Sequence, residues 1–234
     1  MGTTPSFAKK PFVSTILLWM RTDQLRQVGM GYWKGPHSKI ISATPGLGEY
    51  RQIHLAENNP GLWPAISGVE TVIPGERRID GVAEVTFASA LSPLRGRKQT
   101  KLAYKDEVNV FRRTLLYAGR PRSARWYDVA RPEEKVGARS LIYLRKREDT
   151  RTRAFRKFLM GELVPALAGT GALRELRSQF GFADAHALGA FYGSEQIAVL
   201  SGKLPEFVSA VHAYEVAEAL TYVKDGAALP HPQA

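Results

Sequence analysis

Val13–Arg21 reads VSTILLWMR, and 126 residues later Arg139–Arg147 reads RSLIYLRKR. Both runs are rich in β-branched, aliphatic and aromatic residues and close on a cation, a composition that suits a buried strand. The segments after the two runs are also alike. Thr22 and Asp23 cap a predicted helix through Gln24–Ser42, and Asp149 and Thr150 open another that continues to about Ala168. Gly29 and Gly31 weaken the first helix by about 1 kcal/mol each, and the Pro45-Gly46 turn ends it. A supersecondary pattern returning at a fixed spacing is the mark of a repeat.

Outward from these runs, Glu49–Ala56 is predicted as a second strand and Asn58–Glu76 as an irregular connection. Asp80–Phe87 is a third strand, helical sequence extends to about Tyr117, and Ala124–Val129 is a fourth strand. The order β-α-β-β-α-β is that of the ferredoxin-like split unit. After a linker at Ala130–Gly137, the second copy is expected to place strands at Leu173–Phe182 and Glu195–Ser201. A short helix at Leu204–Ala213 and a last strand at Ala217–Lys224 then complete it. An open sheet with helices on one face must bury its other face. The expected fold is therefore α+β: two ferredoxin-like βαββαβ repeats, 11–130 and 138–226, forming an intramolecular dimeric α+β barrel. The first repeat carries the candidate site and the second completes the barrel.

The 234 residues match two such repeats, and 44% hydrophobic residues are ample for packed cores. There is no cysteine, which excludes disulfide frameworks, thiolate zinc sites, iron–sulfur clusters and cysteine nucleophiles. The apolar stretch Phe12–Met20 is too short for a membrane helix, which needs about 20 residues. It also lacks a small-residue cleavage site after it. A soluble cytoplasmic chain with no membrane partner is expected.

The net charge of +11 is clustered. Arg95–Arg125 holds ten cations against Asp106 and Glu107, and Arg145–Lys157 holds seven against Glu148 and Asp149. Neither half shows the glycine-aromatic pattern of an RNA-binding sheet, and the second sheet is expected to cover the face such a module exposes. Nucleic acid is accordingly not the expected partner. The charge serves solubility or the attraction of an anionic substrate.

Two motifs carry residues suited to proton transfer. Tyr32-Trp33-Lys34-Gly35-Pro36-His37 places Trp33 and His37 four apart, on one helix face. Tyr50, Gln52 and His54 alternate onto one face of a strand. Imidazoles from helix and strand can converge where those faces meet, and histidine is the side chain best matched to proton transfer near neutral pH. Each residue also has a packing role open to it: Trp33 and Tyr50 as core aromatics, His37 and His54 as satisfied histidines. His186, His212 and His231 show no partner pattern. No HxH or HxxxH pair occurs, so no metal is expected. No nucleotide-binding glycine motif follows a strand, so no cofactor is expected either.

The run YWxxxH, then PGLxxYxQxH, then DGVAEVTF resembles the EthD domain family of the dimeric α+β barrel superfamily. Asp106-Glu107-Val108-Asn109-Val110-Phe111 resembles the acidic-aromatic segment of that family's second helix. The likeness covers residues 13–129 by motif and 139–225 by pattern. Ser38-Lys39 stands where the family usually has Gly-Pro. The resemblance implies a cofactor-independent enzyme of lyase, dehydratase or cyclase type acting on a small apolar, aromatic or polyketide-like substrate. A monooxygenase, or a non-catalytic protein holding a hydrophobic metabolite, is the alternative, and a homodimer is allowed. The expected catalytic residues are His54 as general base, His37 as its acid or orienting partner and Tyr32 as oxyanion donor. Trp33, Tyr50 and Gln52 are expected to bind substrate. Laid on the first repeat, the second puts Phe158, Leu159 and Leu163 at Tyr32, Trp33 and His37, and Gln179 at His54. One polar site per chain is expected, in the N-terminal half.

Overall fold

A computed structural model describes residues 6–87, 89, 91–129 and 133–231. The N-terminal series is β1 (Phe7–Lys10), β2 (Phe12–Met20), α1 (Arg26–Tyr32), a π-helical turn (Trp33–His37), α2 (Ser38–Ser42), β3 (Leu47–Leu55), β4 (Gly81–Phe87), α3 (Ser92–Arg95), α4 (Arg97–Glu107), β5 (Phe111–Ala118) and β6 (Ala124–Tyr127). The C-terminal series is β7 (Ala138–Lys146), α5 (Thr152–Phe158), a second π-helical turn (Leu159–Leu163), α6 (Val164–Ala168), β8 (Glu175–Leu176), β9 (Gln179–Phe182), α7 (Ala185–Tyr192), α8 (Glu195–Ser201), β10 (Val208–Lys224) and β11 (Ala227–Ala228). The fold is mixed α+β with antiparallel strand pairing.

The chain groups into two compact units. One comprises Lys9–Glu57, Arg78–Arg125 and Ala217–Ala234. Its strands run in the order β3-β4-β2-β5, and β10 is the other neighbour of β3. Leu18, Met20, Trp33, Tyr50, Val110, Phe111 and Tyr222 form its core, so the helical segment Arg26–Ser42 is held by burial against the sheet. Gly46, at φ +81° in the Pro45-Gly46 turn, supplies the left-handed backbone that starts β3.

The other unit comprises Met1–Ala8, Asn58–Arg77 and Trp126–Val216. Its strands run β8-β9-β7-β10, with β6 beyond β8. Phe158, Leu163, Leu167, Phe182, Phe191 and Ile197 are central to its core.

The 126-residue recurrence extends to backbone detail. β2 and β7 begin and end at that spacing, as do the two π-helical turns. Leu25 (φ −63°, ψ 134°) and Arg151 (φ −64°, ψ 135°) enter their helices in the same extended conformation. Arg21 forks onto the Asp23 carboxylate, and Arg147 does the same to Asp149.

Five expected elements differ. Helix α4 ends at Glu107, because Asn109 and Val110 turn back onto the carbonyls of Asp106 and Glu107. Phe111–Ala118 then pairs with β2, so β5 is the fourth strand of the first series and Ala124–Tyr127 instead pairs with β8. Leu173–Phe182 is two short strands joined at Arg177-Ser178. Glu195–Ser201 is helical: the Ser194 hydroxyl accepts from the Ile197 amide, and Ile197 is buried on the inner face. Beyond one turn at Leu204–Glu206, the residues from Val208 to Ala213 are strand. Val211 and Ala213 join the apolar core, and His212 between them, also buried, reaches a Glu70 carboxylate oxygen instead. Of the expected linker, residues 130–132 lie outside the described residues.

The pairing also corrects one correspondence. Gln179 sits opposite Leu141 on β7, and Glu84 sits opposite Thr15 on β2. Since Leu141 lies 126 residues after Thr15, Gln179 matches Glu84 and not His54.

Candidate functional site

Along β3 the side chains of Tyr50, Gln52 and His54 point toward the α1–α2 segment and are buried. The Gln52 amide sets the chemistry of the row. Its Nε2 donates to the Trp33 carbonyl at 2.8 Å and to the Tyr50 hydroxyl at 2.7 Å. A carbonyl can only accept, so the amide cannot be reversed without opposing two oxygens. Gln52 Oε1 is therefore left to accept, from His54 Nε2 at 2.9 Å and from the Tyr222 hydroxyl at 3.3 Å. It follows that His54 carries its proton on Nε2, and Nδ1 holds a lone pair.

That Nδ1 lies 3.9 Å from Oε2 of Glu218, whose carboxylate is paired with Lys34 at 2.8 Å. His54 and Glu218 line a cavity of about 380 Å³, together with Leu25, Met30, Leu55 and Ala217. Arg26 forms part of its wall and is fixed there by Asp80 (2.6 Å) and the Leu55 carbonyl (2.8 Å). Burial lowers the His54 pKa to about 4, and the cations Lys34 and Arg26 act in the same sense against the opposing pull of Glu218. His54 is thus a neutral imidazole with an unprotonated nitrogen at physiological pH.

Trp33 holds this imidazole from the helix side. The two rings are stacked, with centroids 4.4 Å apart and 13° between planes. The indole needs the missing side chain of Gly81 on β4: a Cβ there would lie 2.4 Å from the ring. Gly81 is in turn paired with His54 across the strands, so one backbone position seats both rings.

Tyr32 and His37 belong to a second polar cluster. The Tyr32 hydroxyl donates to Asp106 Oδ1 at 2.8 Å, and His37 Nδ1 meets Asp106 Oδ2 at 2.8 Å. Asn109 also donates to Asp106 Oδ1 at 3.0 Å. A carboxylate accepts these bonds, so His37 bears its proton on Nδ1. Burial works to raise the Asp106 pKa, but the bonds from His37, Asn109 and Tyr32 outweigh it and hold the carboxyl below its usual range. The hydrogen bond to that carboxylate pushes the Tyr32 phenol up. Burial pushes the His37 imidazole down against the pull of Asp106.

All six predicted residues are in one unit, on the helix–sheet interface, but they form two clusters. From His54 to His37 the contacts run through the rings of Trp33 and Phe111 (4.4, 6.0 and 5.5 Å between successive centroids). Tyr32 and His37 are not among the residues lining the His54 cavity. Gln52 and Tyr50 act behind His54. Sequence reasoning does not single out Asp106, Glu218 or Tyr222 as site residues. Asp106 stands in the acidic-aromatic run Asp106–Phe111, which is a usable signal. Glu218 and Tyr222 come from the last long strand, which no local motif ties to His54. His212, without a partner pattern in the sequence, lies 2.9 Å from a Glu70 carboxylate oxygen, and His231 lies 3.2 Å from the Ser38 hydroxyl. Among the described residues no group of three His, Asp or Glu side chains is placed to hold a metal ion. Nor is any helix there long and apolar enough to cross a membrane.

No protein-family model matches the sequence, and no curated protein matches it. Solved structures do. An anthrone oxidase-like protein superposes with a TM-score of 0.58 at 10% identity, over 92% of this chain and 96% of the other. A candidate monooxygenase from Lactobacillus acidophilus NCFM superposes with a TM-score of 0.51 at 9% identity, over 94% and 99%. This chain shares their fold.

Proposed function

We propose that the chain is a tandem duplication of an EthD-like, ferredoxin-like unit, with repeats at 11–130 and 138–226 joined as one dimeric α+β barrel. The support is the 126-residue spacing of β2 and β7, of the arginine–aspartate forks and of the π-helical turns. The first repeat is an enzyme that removes a proton beside the carbonyl of a small, largely apolar aromatic or polyketide-like compound, using no cofactor.

The observation that carries this reading is the bare Nδ1 of His54 in a cavity where Leu25, Met30 and Leu55 stand beside the polar Arg26, Gln27, Glu57 and Glu218. His54 Nδ1 takes the proton, the electron pair of the C–H bond moves onto the carbonyl oxygen, and Glu218 stabilises the imidazolium. Gln52 holds the tautomer, and Trp33 holds the ring in plane. Asp106 positions Tyr32 and His37, which fix the helix carrying Trp33. Elimination or ring closure of the enolate gives dehydratase, lyase or cyclase chemistry, while its reaction with dioxygen gives an oxidase. Likeness to an anthrone oxidase-like protein and a candidate monooxygenase favours trying the oxidative fate as well.

The test is proton exchange in D₂O, monitored by NMR, at the acidic carbon of a panel of aromatic ketones, anthrone included, with and without air. His54→Gln is expected to slow exchange about 10²–10⁴-fold with binding of the compound retained. Exchange at the wild-type rate in that variant removes His54 from the mechanism. Product formed only in air selects the oxidative fate.

A further inference from the structure

The longer of the two basic segments, Arg95–Arg125, supplies none of the residues lining the His54 cavity, and the fold gives it a shape. β5 is the last strand of its sheet: it pairs with β2 on one side, and no strand is placed on its other side among the described residues. A strand edge is a row of backbone donors and acceptors ready to pair with another extended chain. Charged side chains commonly blunt such an edge, but the middle and end of this one are apolar. Leu116 and Tyr117 are each more than half exposed, as is Val108 in the turn leading into the strand.

Cations bracket that apolar stretch. Arg112 and Arg113 stand at the start of the strand, and Arg120 and Arg122 lie beyond its end. Lys101 and Lys105 add to them from α4. All six are exposed, and none is in an ion pair among the described residues. The guanidinium of Arg113 lies 4.7 Å from the Trp19 ring centroid. Glu107, the carboxylate nearest in sequence to the strand, accepts from the Thr114 hydroxyl instead of pairing with a cation. Elsewhere on this unit the exposed cation Arg21 has its carboxylate, in Asp23. Lys39, Arg97 and Lys98 of the same unit are also exposed and outside the ion pairs of the described residues, so what sets the cations along β5 apart is the free strand edge they flank.

We propose that the free edge of β5 receives an extended acidic protein segment, which adds to the sheet as a further strand. Backbone pairing along Phe111–Ala118 supplies affinity, and at about 3.4 Å per residue the strand offers roughly 27 Å of edge. Leu116 and Tyr117 contact apolar or β-branched residues at the centre of the segment. Arg112, Arg113, Arg120 and Arg122 select carboxylates at its two ends. A second copy of this chain is disfavoured as occupant, since its own edge carries the same charges. A nucleic acid would neutralise the cations but leave the strand edge unpaired.

The probe is a fluorescein-labelled peptide, Asp-Asp-Glu-Val-Thr-Val-Thr-Val-Glu-Asp-Asp, titrated with the full chain and read by anisotropy. Saturable binding is expected, weakened at least about tenfold on raising NaCl from about 50 to about 300 mM, as the screening length shortens. A scrambled peptide of equal charge, with the carboxylates at the centre, is expected to bind at least about tenfold more weakly. Arg112→Glu/Arg120→Glu and Leu116→Asp are each expected to abolish binding, with unchanged circular dichroism and unchanged His54-dependent proton exchange. Three binding results overturn the proposal: no saturable binding, equal binding of the scrambled peptide, or a labelled oligouridylate that binds more tightly than the peptide and is lost in the same variants. Self-association in sedimentation velocity that Leu116→Asp removes also overturns it, in favour of a second copy.

Discussion

Trp33–His37 and Leu159–Leu163 are both π-helical turns, 126 residues apart, and each continues a helix entered from the same extended residue. Their chemistry is opposite. The first offers Trp33 to an imidazole and His37 to a carboxylate, with Tyr32 just before it. The second offers Leu163 to an apolar core, with Phe158 just before it stacked on Phe207 at 4.2 Å. The backbone therefore does not need the polar residues. Burial of Phe158 and Leu163 supports the same turn, because shape and apolar area suffice to hold a helix on a sheet. The polar groups of the first turn carry a desolvation cost that the second turn avoids, and each is matched by a specific partner. Buried polar groups retained where apolar ones would fold as well point to function.

The largest expected effect sets Trp33 against Leu159. Trp33→Ala removes a fully buried indole and should cost about 3–5 kcal/mol in urea unfolding, with proton exchange lost as well. Leu159→Ala, at a half-buried position, should cost about 1–2 kcal/mol and leave exchange unchanged. Equal losses of activity would erase the distinction between the two turns.

The next effect is on pH dependence. The folded-state pKa of His54, about 4, lies below its ordinary value of 6.5. Between those limits the unfolded chain binds the proton and the folded chain does not, so stability rises with pH. The contribution is complete above about pH 6.5 and is lost as pH falls toward about 4, by about 3 kcal/mol. His37 is lowered too and adds in the same direction. His54→Gln should flatten this part of the stability curve, as measured by urea midpoints from about pH 4 to about pH 7. A curve as steep as that of the wild type would place the titration elsewhere. The proton-exchange rate should stay level from about pH 6 to about pH 8, since the base is already unprotonated there.

The smallest effect concerns Asp106. Asp106→Asn keeps an acceptor for Tyr32 but weakens the bond from His37. A few-fold fall in turnover with KM unchanged is expected from a positioning residue. Rescue by Asp106→Glu, but not by Asp106→Ala, would support that role. A loss as deep as that of His54→Gln would make the second cluster part of the chemistry.

The range of each signal decides how much of the molecule is legible in its sequence. Strand β2, the helix after it and strand β3 are local patterns that Val13–Arg21, Gln24–Ser42 and Tyr50–His54 display directly, but the expected Thr22-Asp23 cap is not made: Leu25 stands at the N-cap without a side-chain bond, and Asp23 is taken by Arg21. Their recurrence at Arg139–Arg147 needs only a comparison of the chain with itself. Leu204–Ala213 misleads because its apolar spacing fits a helix locally, while pairing with β7 fixes it as strand. Glu195–Ser201 misleads the other way, and only the Ser194 cap marks it as helix. His37 and His54 are legible as candidates from their motifs. Their separation by Trp33 and Phe111 is not, since it depends on packing between distant elements. Glu218 and Tyr222 reach His54 and Gln52 through the sheet order, which no local pattern encodes.

The proposed chemistry turns on the protonation of one ring. The most direct measurement is therefore a ¹⁵N–¹H spectrum of the histidine side chains in the uniformly labelled full chain, assigned by the loss of the His54 signals in His54→Gln. At neutral pH His54 should be the Nε2–H tautomer with bare Nδ1, should titrate near pH 4, and should shift when an aromatic ketone enters the cavity. A proton on Nδ1, or titration near the ordinary value of 6.5 with no response to the ketone, would contradict it.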